Sequence, residues 1–256
     1  MRTTGCALAV TLILAAVGIF RAGDAKAGDA EAKEAQALLK KAMEAHGGEA
    51  KLAKVKALYM RGNGKITAGE DFPFSAEYHA MGTTHSKLAI ELTAMGQVFK
   101  VVKVVAGDKG WQKIGNDAST DLNDDEMAAD KALLYLNHAA LLAPLKDKAY
   151  KLSPLGESKV GDKAAVGLRV SREGKADISL YFDKKTHMLL KSETNVKDQG
   201  QEVLIEIFLG DYKAVDGVQI AHRWTVHREG KAYVEATFTD VVPYGQKLDD
   251  SVFAKP

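Results

Sequence analysis

Residues 85–114, HSKLAIELTAMGQVFKVVKVVAGDKGWQKI, decide the fold. Three β-patterned runs, 85–93, 97–105 and 109–114, are separated only by Met95-Gly96 and Gly107-Asp108-Lys109-Gly110. Connections this short allow only antiparallel neighbours, because a parallel pair needs a crossover of a dozen residues or more. The middle run is apolar on both faces. Val98, Val102 and Val104 share one side, and Phe99, Val101 and Val105 the other. A strand with two apolar faces is either covered on both or turns one face to an apolar ligand. Alternation alone does not say which face looks inward.

The same pattern extends in both directions. Strands are expected at 57–67 and 73–81 before this stretch. After it they are expected at 149–156, 164–172, 176–183, 187–196, 201–213, 218–228 and 231–242. The turns between them are tight: Ala68-Gly69-Glu70-Asp71, Gly82-Thr83-Thr84, Arg172-Glu173-Gly174-Lys175, Asp198-Gln199-Gly200, Val215-Asp216-Gly217 and Arg228-Glu229-Gly230. Roughly eleven or twelve meandering strands of this length imply one strongly curved antiparallel sheet or half-open barrel. The fold class is mainly β (α+β).

Two helical segments interrupt the meander. Ala35, Leu38, Leu39, Ala42 and Met43 make one apolar stripe in 30–46, and Gly47-Gly48 follows where a helix must end. Glu49 to Lys56 adds a further turn. In 121–143, Asn123 with Glu126 three residues later has the form of a capping box, and Pro144 ends the segment. Met127, Leu133, Leu134, Tyr135, Leu136, Leu141 and Leu142 spread over more than one face, so this insert is expected inside the curved sheet, as a lid.

The N-terminus reads as a targeting segment. Arg2 precedes the apolar run Leu8 to Phe20, too short to span a bilayer, where about 20 residues are needed. Arg21 and Asp24 close the run, and Ala25-Lys26-Ala27 suits signal peptidase. Cleavage is expected after Ala27, leaving 28–256 as one domain in the periplasm or outside the cell. Cys6, the only cysteine, leaves with that segment. It precedes the apolar run, whereas a lipidated cysteine follows it. Disulfides and thiol catalysis are therefore excluded from the mature chain.

The composition supplies exclusions rather than an activity. Lys+Arg is 35 and Asp+Glu 34, a net charge of +1 that offers no broad attraction to nucleic acid. Gly-x-Ser-x-Gly, His-Glu-x-x-His, P-loop and dinucleotide patterns are all missing. His222 and His227 are five apart on one strand and so on opposite faces. His79 and His85 flank a turn but lack a third ligand. The acidic cluster Asp121, Asp124, Asp125, Glu126 and Asp130 has the wrong spacing for calcium and suits the start of a helix. No catalytic residue, metal or cofactor is expected. Trp111 and Trp224 are either core residues or the wall of a ligand cavity.

Five segments carry a family resemblance. They are Ala45-His46-Gly47-Gly48-Glu49-Ala50-Lys51-Leu52, Val105-Ala106-Gly107-Asp108-Lys109-Gly110-Trp111, Leu180-Tyr181-Phe182-Asp183-Lys184-Lys185-Thr186-His187-Met188-Leu189, Asp211-Tyr212-Lys213-Ala214-Val215-Asp216-Gly217-Val218 and Leu248-Asp249-Asp250-Ser251-Val252-Phe253-Ala254-Lys255-Pro256. In this order the chain resembles the LolA-like outer-membrane lipoprotein carrier and sorting superfamily. The resemblance implies a half-open barrel closed by helices that holds lipid or lipoprotein acyl chains, without catalysis and as a monomer. Envelope membrane proteins are the implied partners. An Arg-Pro pair that holds the lid in the best-known carriers has no counterpart in Ala80-Met81-Gly82-Thr83. Candidate ligand contacts are Val98, Phe99, Val101, Val102, Val104, Trp111, Leu134, Leu141 and Trp224. An envelope interaction or stress-sensor module on the same fold is the alternative, and an envelope enzyme a third reading.

Overall fold

The computed structural model describes residues 22–94, 96–198 and 200–256, the side chains from 28 onward. The expected apolar leader falls in 1–21, outside the described residues, so the cleavage point expected after Ala27 has no structural counterpart here.

One sheet of thirteen antiparallel strands carries the fold. The first six are β1 (Ala57–Ala68), β2 (Glu70–Met81), β3 (His85–Ala94), β4 (Gln97–Ala106), β5 (Lys109–Ile114) and β6 (Thr120–Asp121). The remainder are β7 (Lys151–Val160), β8 (Lys163–Ser171), β9 (Ile178–Asp183), β10 (Leu189–Asp198), β11 (Gln201–Val215), β12 (Val218–Arg228) and β13 (Lys231–Tyr244). Each half is a meander, and the pairing of β1 with β13 joins them. The free edges are β6 and β7, so the barrel is half open. The two-residue strand β6 lies where the sequence pattern indicated no strand. It is pulled into the sheet by register with Trp111 and Gln112.

Among the described residues there are three α-helices: α1 (Ala22–Ala45), α2 (Glu49–Leu52) and α3 (Asp124–Ala140). The helix α1 begins earlier than the apolar stripe requires, because an Ala-rich stretch sustains helix without packing. It ends where Gly48 N–H donates to Met43 O at 2.8 Å, with Gly47 and Gly48 both at positive φ. The start of α3 is a true capping box: Glu126 N–H donates to Asn123 Oδ1 and Asn123 N–H to Glu126 Oε2, both at 2.9 Å. The helix ends at Ala140, before Pro144, which opens a 3-10 turn at Ala143–Lys146.

Together α3 and this turn link the two edge strands, so the chain crosses the mouth of the curve between them. Ala35, Leu39 and Ala42 of α1 and Leu136 and Ala139 of α3 are fully buried. They share one core with Leu168, Ile178, Leu180, Phe182, Val196, Ile205 and Ile207 of the sheet. The alternating burial of β8 to β11 follows from this: one face meets the helices and the other faces out. Opposite the helices, a C-terminal 3-10 turn (Asp250–Phe253) covers β3 and β4 from outside, with Phe253 buried and His85 packed on its ring at 5.3 Å.

Candidate functional site: an apolar cavity beneath helix α3

Register identifies the inner face. Leu58 and Met60 pair with Ala80 and Tyr78, and these with Ser86 and Leu88. Tyr78 reaches α3, where Asn137 Nδ2 donates to its hydroxyl at 3.4 Å. On β4 the odd-numbered residues share this face, and Lys103 Nζ lies 2.8 Å from Asp130 Oδ2 of α3. Gly110 on β5 is closed over so tightly that a Cβ there would strike the Met127 sulfur and Leu122. A third link from sheet to helix is Lys131 to Asp108 at 2.8 Å.

Between the C-terminal half of α3 and the inner face lies a cavity of about 90 Å³. Its walls are largely apolar: Leu58, Ala80, Leu134, Leu141, Ile207, Leu209 and Trp224. A water claims about 30 Å³ in the liquid, so the space holds only a few methylene-sized groups. The cavity continues into a wider groove of about 580 Å³, and Leu52, Lys56, Gly82, His138 and Leu141 line both. The groove opens between α2, the β2–β3 turn and the end of α3.

Few polar groups interrupt the apolar wall. Burial drives the Tyr78 phenol up to about 12, so it stays protonated beside Asn137. Trp224 packs edge-on to Phe238 at 5.3 Å, and its indole N–H is buried without a partner among the described residues. At the floor, His46 Nδ1 donates to Ala42 O at 2.8 Å. The tautomer follows, since a carbonyl only accepts, and Nε2 is left to accept from Leu189 N–H at 3.4 Å. Burial lowers the pKa of His46, and burial followed by the Arg172 charge lowers that of His138. Neutral imidazoles therefore face the cavity at neutral pH.

Of the nine candidate contact residues, Leu134, Leu141 and Trp224 meet at this cavity. Val98, Phe99, Val101, Val102, Val104 and Trp111 do not line it. Phe99 and Val101 are on the inner face, but β4 is near the open edge, and Phe99 is 40% exposed. Val98, Val102, Val104 and Trp111 are on the outer face. There Val104 is fully buried on the side that the C-terminal turn covers, and Val98 is 60% exposed. The two apolar faces of β4 thus have two different covers. Tyr78, Asn137, His138 and His46 escaped the sequence reading. The signal available was a polar Asn-His pair inside the apolar run of α3.

The histidine pairs do not form metal sites. His79 packs tilted against Tyr59 at 4.8 Å, His227 tilted against Phe208 at 4.6 Å, and His222 is buried with Nδ1 on Ile220 O. Among the described residues no group of three or more His, Asp or Glu side chains could hold a metal ion.

No family model and no curated protein matches this sequence. Solved structures do match its shape. A domain from Vibrio parahaemolyticus, named for outer membrane lipoprotein sorting, superposes with a TM-score of 0.54 at 12% identity, over 88% of this chain and 97% of that one. A LolA superfamily protein from Nitrosomonas europaea gives 0.53 at 12% identity, over 86% and 97%. A DUF1329 family protein from Desulfovibrio piger gives 0.54 at 13%, also over 86% and 97%.

The chain has the LolA-like fold. The likeness at this identity is one of backbone, and it covers nearly the whole of each neighbour. In this LolA-like half-barrel the cavity sits where the two meanders and the α3 connection come closest, so the fold itself creates it.

Proposed function

We propose that this protein binds a lipid, or the acyl chains of a lipoprotein, beneath α3 and carries it through the periplasm without performing chemistry. The observation that supports this reading most is the apolar cavity walled by Leu134, Leu141, Leu209 and Trp224 and continuous with an open groove. Burying a methylene is worth about 0.8 kcal/mol, so a chain of a dozen carbons gains on the order of 10 kcal/mol before costs. With α3 in place the cavity of about 90 Å³ is too small for such a chain. Helix α3 must rise, which makes it the lid. Its polar ties to the sheet are Lys103–Asp130, Lys131–Asp108 and Asn137–Tyr78. The Lys131–Asp108 pair lies in solvent and is screened, so it holds the helix only weakly. The apolar packing of Leu134, Leu136 and Ala139 is the main cost of opening, and incoming acyl surface replaces it in kind.

In this reading the leader is removed after Ala27, the mature chain acts as a monomer, and membrane proteins of the envelope load and unload it. A second reading, an envelope interaction or stress-sensor module, draws on Phe99 and Ile114, which leave apolar surface exposed near the sheet edge.

Native mass spectrometry of protein purified from the periplasm, followed by organic extraction, tests the proposal. A lipid or lipopeptide released on unfolding supports it. A clean apo mass together with no uptake of a fluorescent fatty acid rejects it in favour of the interaction module.

A further inference from the structure

The groove at the cavity mouth differs in character from the cavity. Three permanent cations line it, Lys56, Arg172 and Lys247, against one carboxylate, Asp147. Two histidines, His85 and His138, line it as well. None of the three cations forms an ion pair among the described residues, although fourteen such contacts occur elsewhere in the molecule. Asp147 Oδ1 accepts from Ala149 N–H at 2.9 Å and keeps its negative charge, so the groove lining carries a net charge of about two positive. Lys56 Nζ touches only a carbonyl, Ala53 O at 2.7 Å. Arg172 lies over the Tyr150 ring at 5.2 Å with Nη1 3.5 Å from the phenol oxygen, which orients the guanidinium and leaves its remaining N–H groups unused.

An apolar cavity joined to a groove of net positive charge is complementary to a molecule with an apolar tail and a negative head. We infer that the ligand is an anionic amphiphile, its apolar part beneath α3 and its carboxylate or phosphate in the groove among Lys56, Arg172 and Lys247. This rests on the lipid-binding reading above and specifies its ligand. One effect opposes the assignment: the C-terminus of α3 points a negative partial charge toward the groove. A helix end amounts to roughly half an elementary charge. Three cations less the Asp147 carboxylate still outweigh it, and Arg in particular matches a carboxylate or phosphate with two parallel hydrogen bonds.

The test compares three amphiphiles of equal chain length: dodecanoate, dodecanol and dodecyltrimethylammonium. Each displaces a fluorescent neutral probe from the mature protein at low and at high salt. The expected result is dodecanoate binding at least tenfold more tightly than dodecanol, with the cation weakest and the gap narrowing in salt. In the variant Lys56→Gln, Arg172→Gln, Lys247→Gln, dodecanoate should fall to within about threefold of dodecanol. An unchanged thermal midpoint of that variant reports an intact fold, so the change in preference reads the lost charges. Equal affinity for dodecanoate and dodecanol in the natural protein overturns the inference while leaving lipid binding standing. So does a preference that survives in the variant. Failure of all three to bind removes the lipid-binding reading and this inference together. If the variant fails to fold, the salt dependence and the order of the three amphiphiles on the natural protein still decide.

Discussion

Gly47 and Gly217 meet backbone to backbone. A Cβ on Gly47 would collide with the Gly217 carbonyl oxygen and lie 3.2 Å from both Gly217 C and Val218 Cα. The contact closes a joint between the end of α1 and the β11–β12 turn. Gln219 N–H donates to His46 O at 3.0 Å across the same joint. Tyr212 packs edge-on to His46 at 5.4 Å and donates to Leu189 O at 2.7 Å. Three of the five segments that carry the family resemblance therefore converge here: 45–52, 180–189 and 211–218. The other two face each other across the outer side, where the C-terminal segment covers β3 and β4. These segments act as joints of the half-barrel.

Gly47→Ala tests the joint. The residue has φ of +115° and no room for a methyl group, so both strain and collision oppose the change. A loss of about 3 kcal/mol is expected. For a domain of this size that lowers Tm by roughly 6–12 °C. Gly48→Ala meets open space, but φ of +93° with ψ of 150° is a conformation essentially reserved for glycine, so strain alone should cost about 2 kcal/mol. Thermal unfolding of both variants should show the contrast, and equal losses would mean the close approach is unimportant.

His46 should make stability fall with acid. Burial holds its folded pKa below the ordinary value of 6.5, so the unfolded chain takes up the proton first. Stability is then fully present above about 6.5 and is lost as pH falls through the window between the unfolded and folded values. Protonation also removes the acceptor that Leu189 N–H uses. His138 and His79, both lowered mainly by burial, act in the same direction. Urea midpoints at pH 7.5 and 5.5 should differ, and His46→Gln should reduce the difference. A pH-independent midpoint would contradict the buried neutral imidazole.

Filling the cavity should separate stability from binding. Ala80→Leu adds three carbons to the inner wall, each worth about 0.8 kcal/mol when buried, less the strain of fitting. Apo stability should rise by about 1 kcal/mol and uptake of a fluorescent fatty acid should weaken at least tenfold. Unaltered uptake would place the ligand elsewhere.

Phe253→Ala should unfasten the outer cover. Phe253 is 2% exposed, and truncating a buried phenylalanine costs about 3–5 kcal/mol. With the cover loosened, water should reach Trp111 on the same side of the sheet. A red-shifted emission component, assigned with Trp224→Phe in the background, is the measurement. A shift absent despite lost stability would mean the cover does not shield Trp111.

Much of the architecture was decided locally. Short Gly-containing turns force antiparallel neighbours, so the two meanders follow from Met95-Gly96, Gly107-Asp108 and Asp216-Gly217 and their like. The capping box of Asn123 and Glu126 and the glycine stop after α1 are also local, since each is made within one turn of chain. The half-open barrel was legible through the resemblance, and its shape is that of the solved neighbours.

What the sequence determined by itself is which residues could form strands, helices and turns, because those choices depend on neighbours a few positions away. Which face of each strand looks inward was settled only by the tertiary structure. Alternation on β4 marks Val98, Val102 and Val104 apart from Phe99 and Val101, yet both sets are apolar, so pattern alone cannot orient the strand. The pairing of β1 with β13 curves the sheet, and α3, as the link between the free edges, has to cross its concave side. That placement brings Tyr78, Leu134, Leu209 and Trp224 around one cavity although they come from distant parts of the chain. Long-range contact has no periodicity to read, and the cavity exists only where those contacts fall short of filling space.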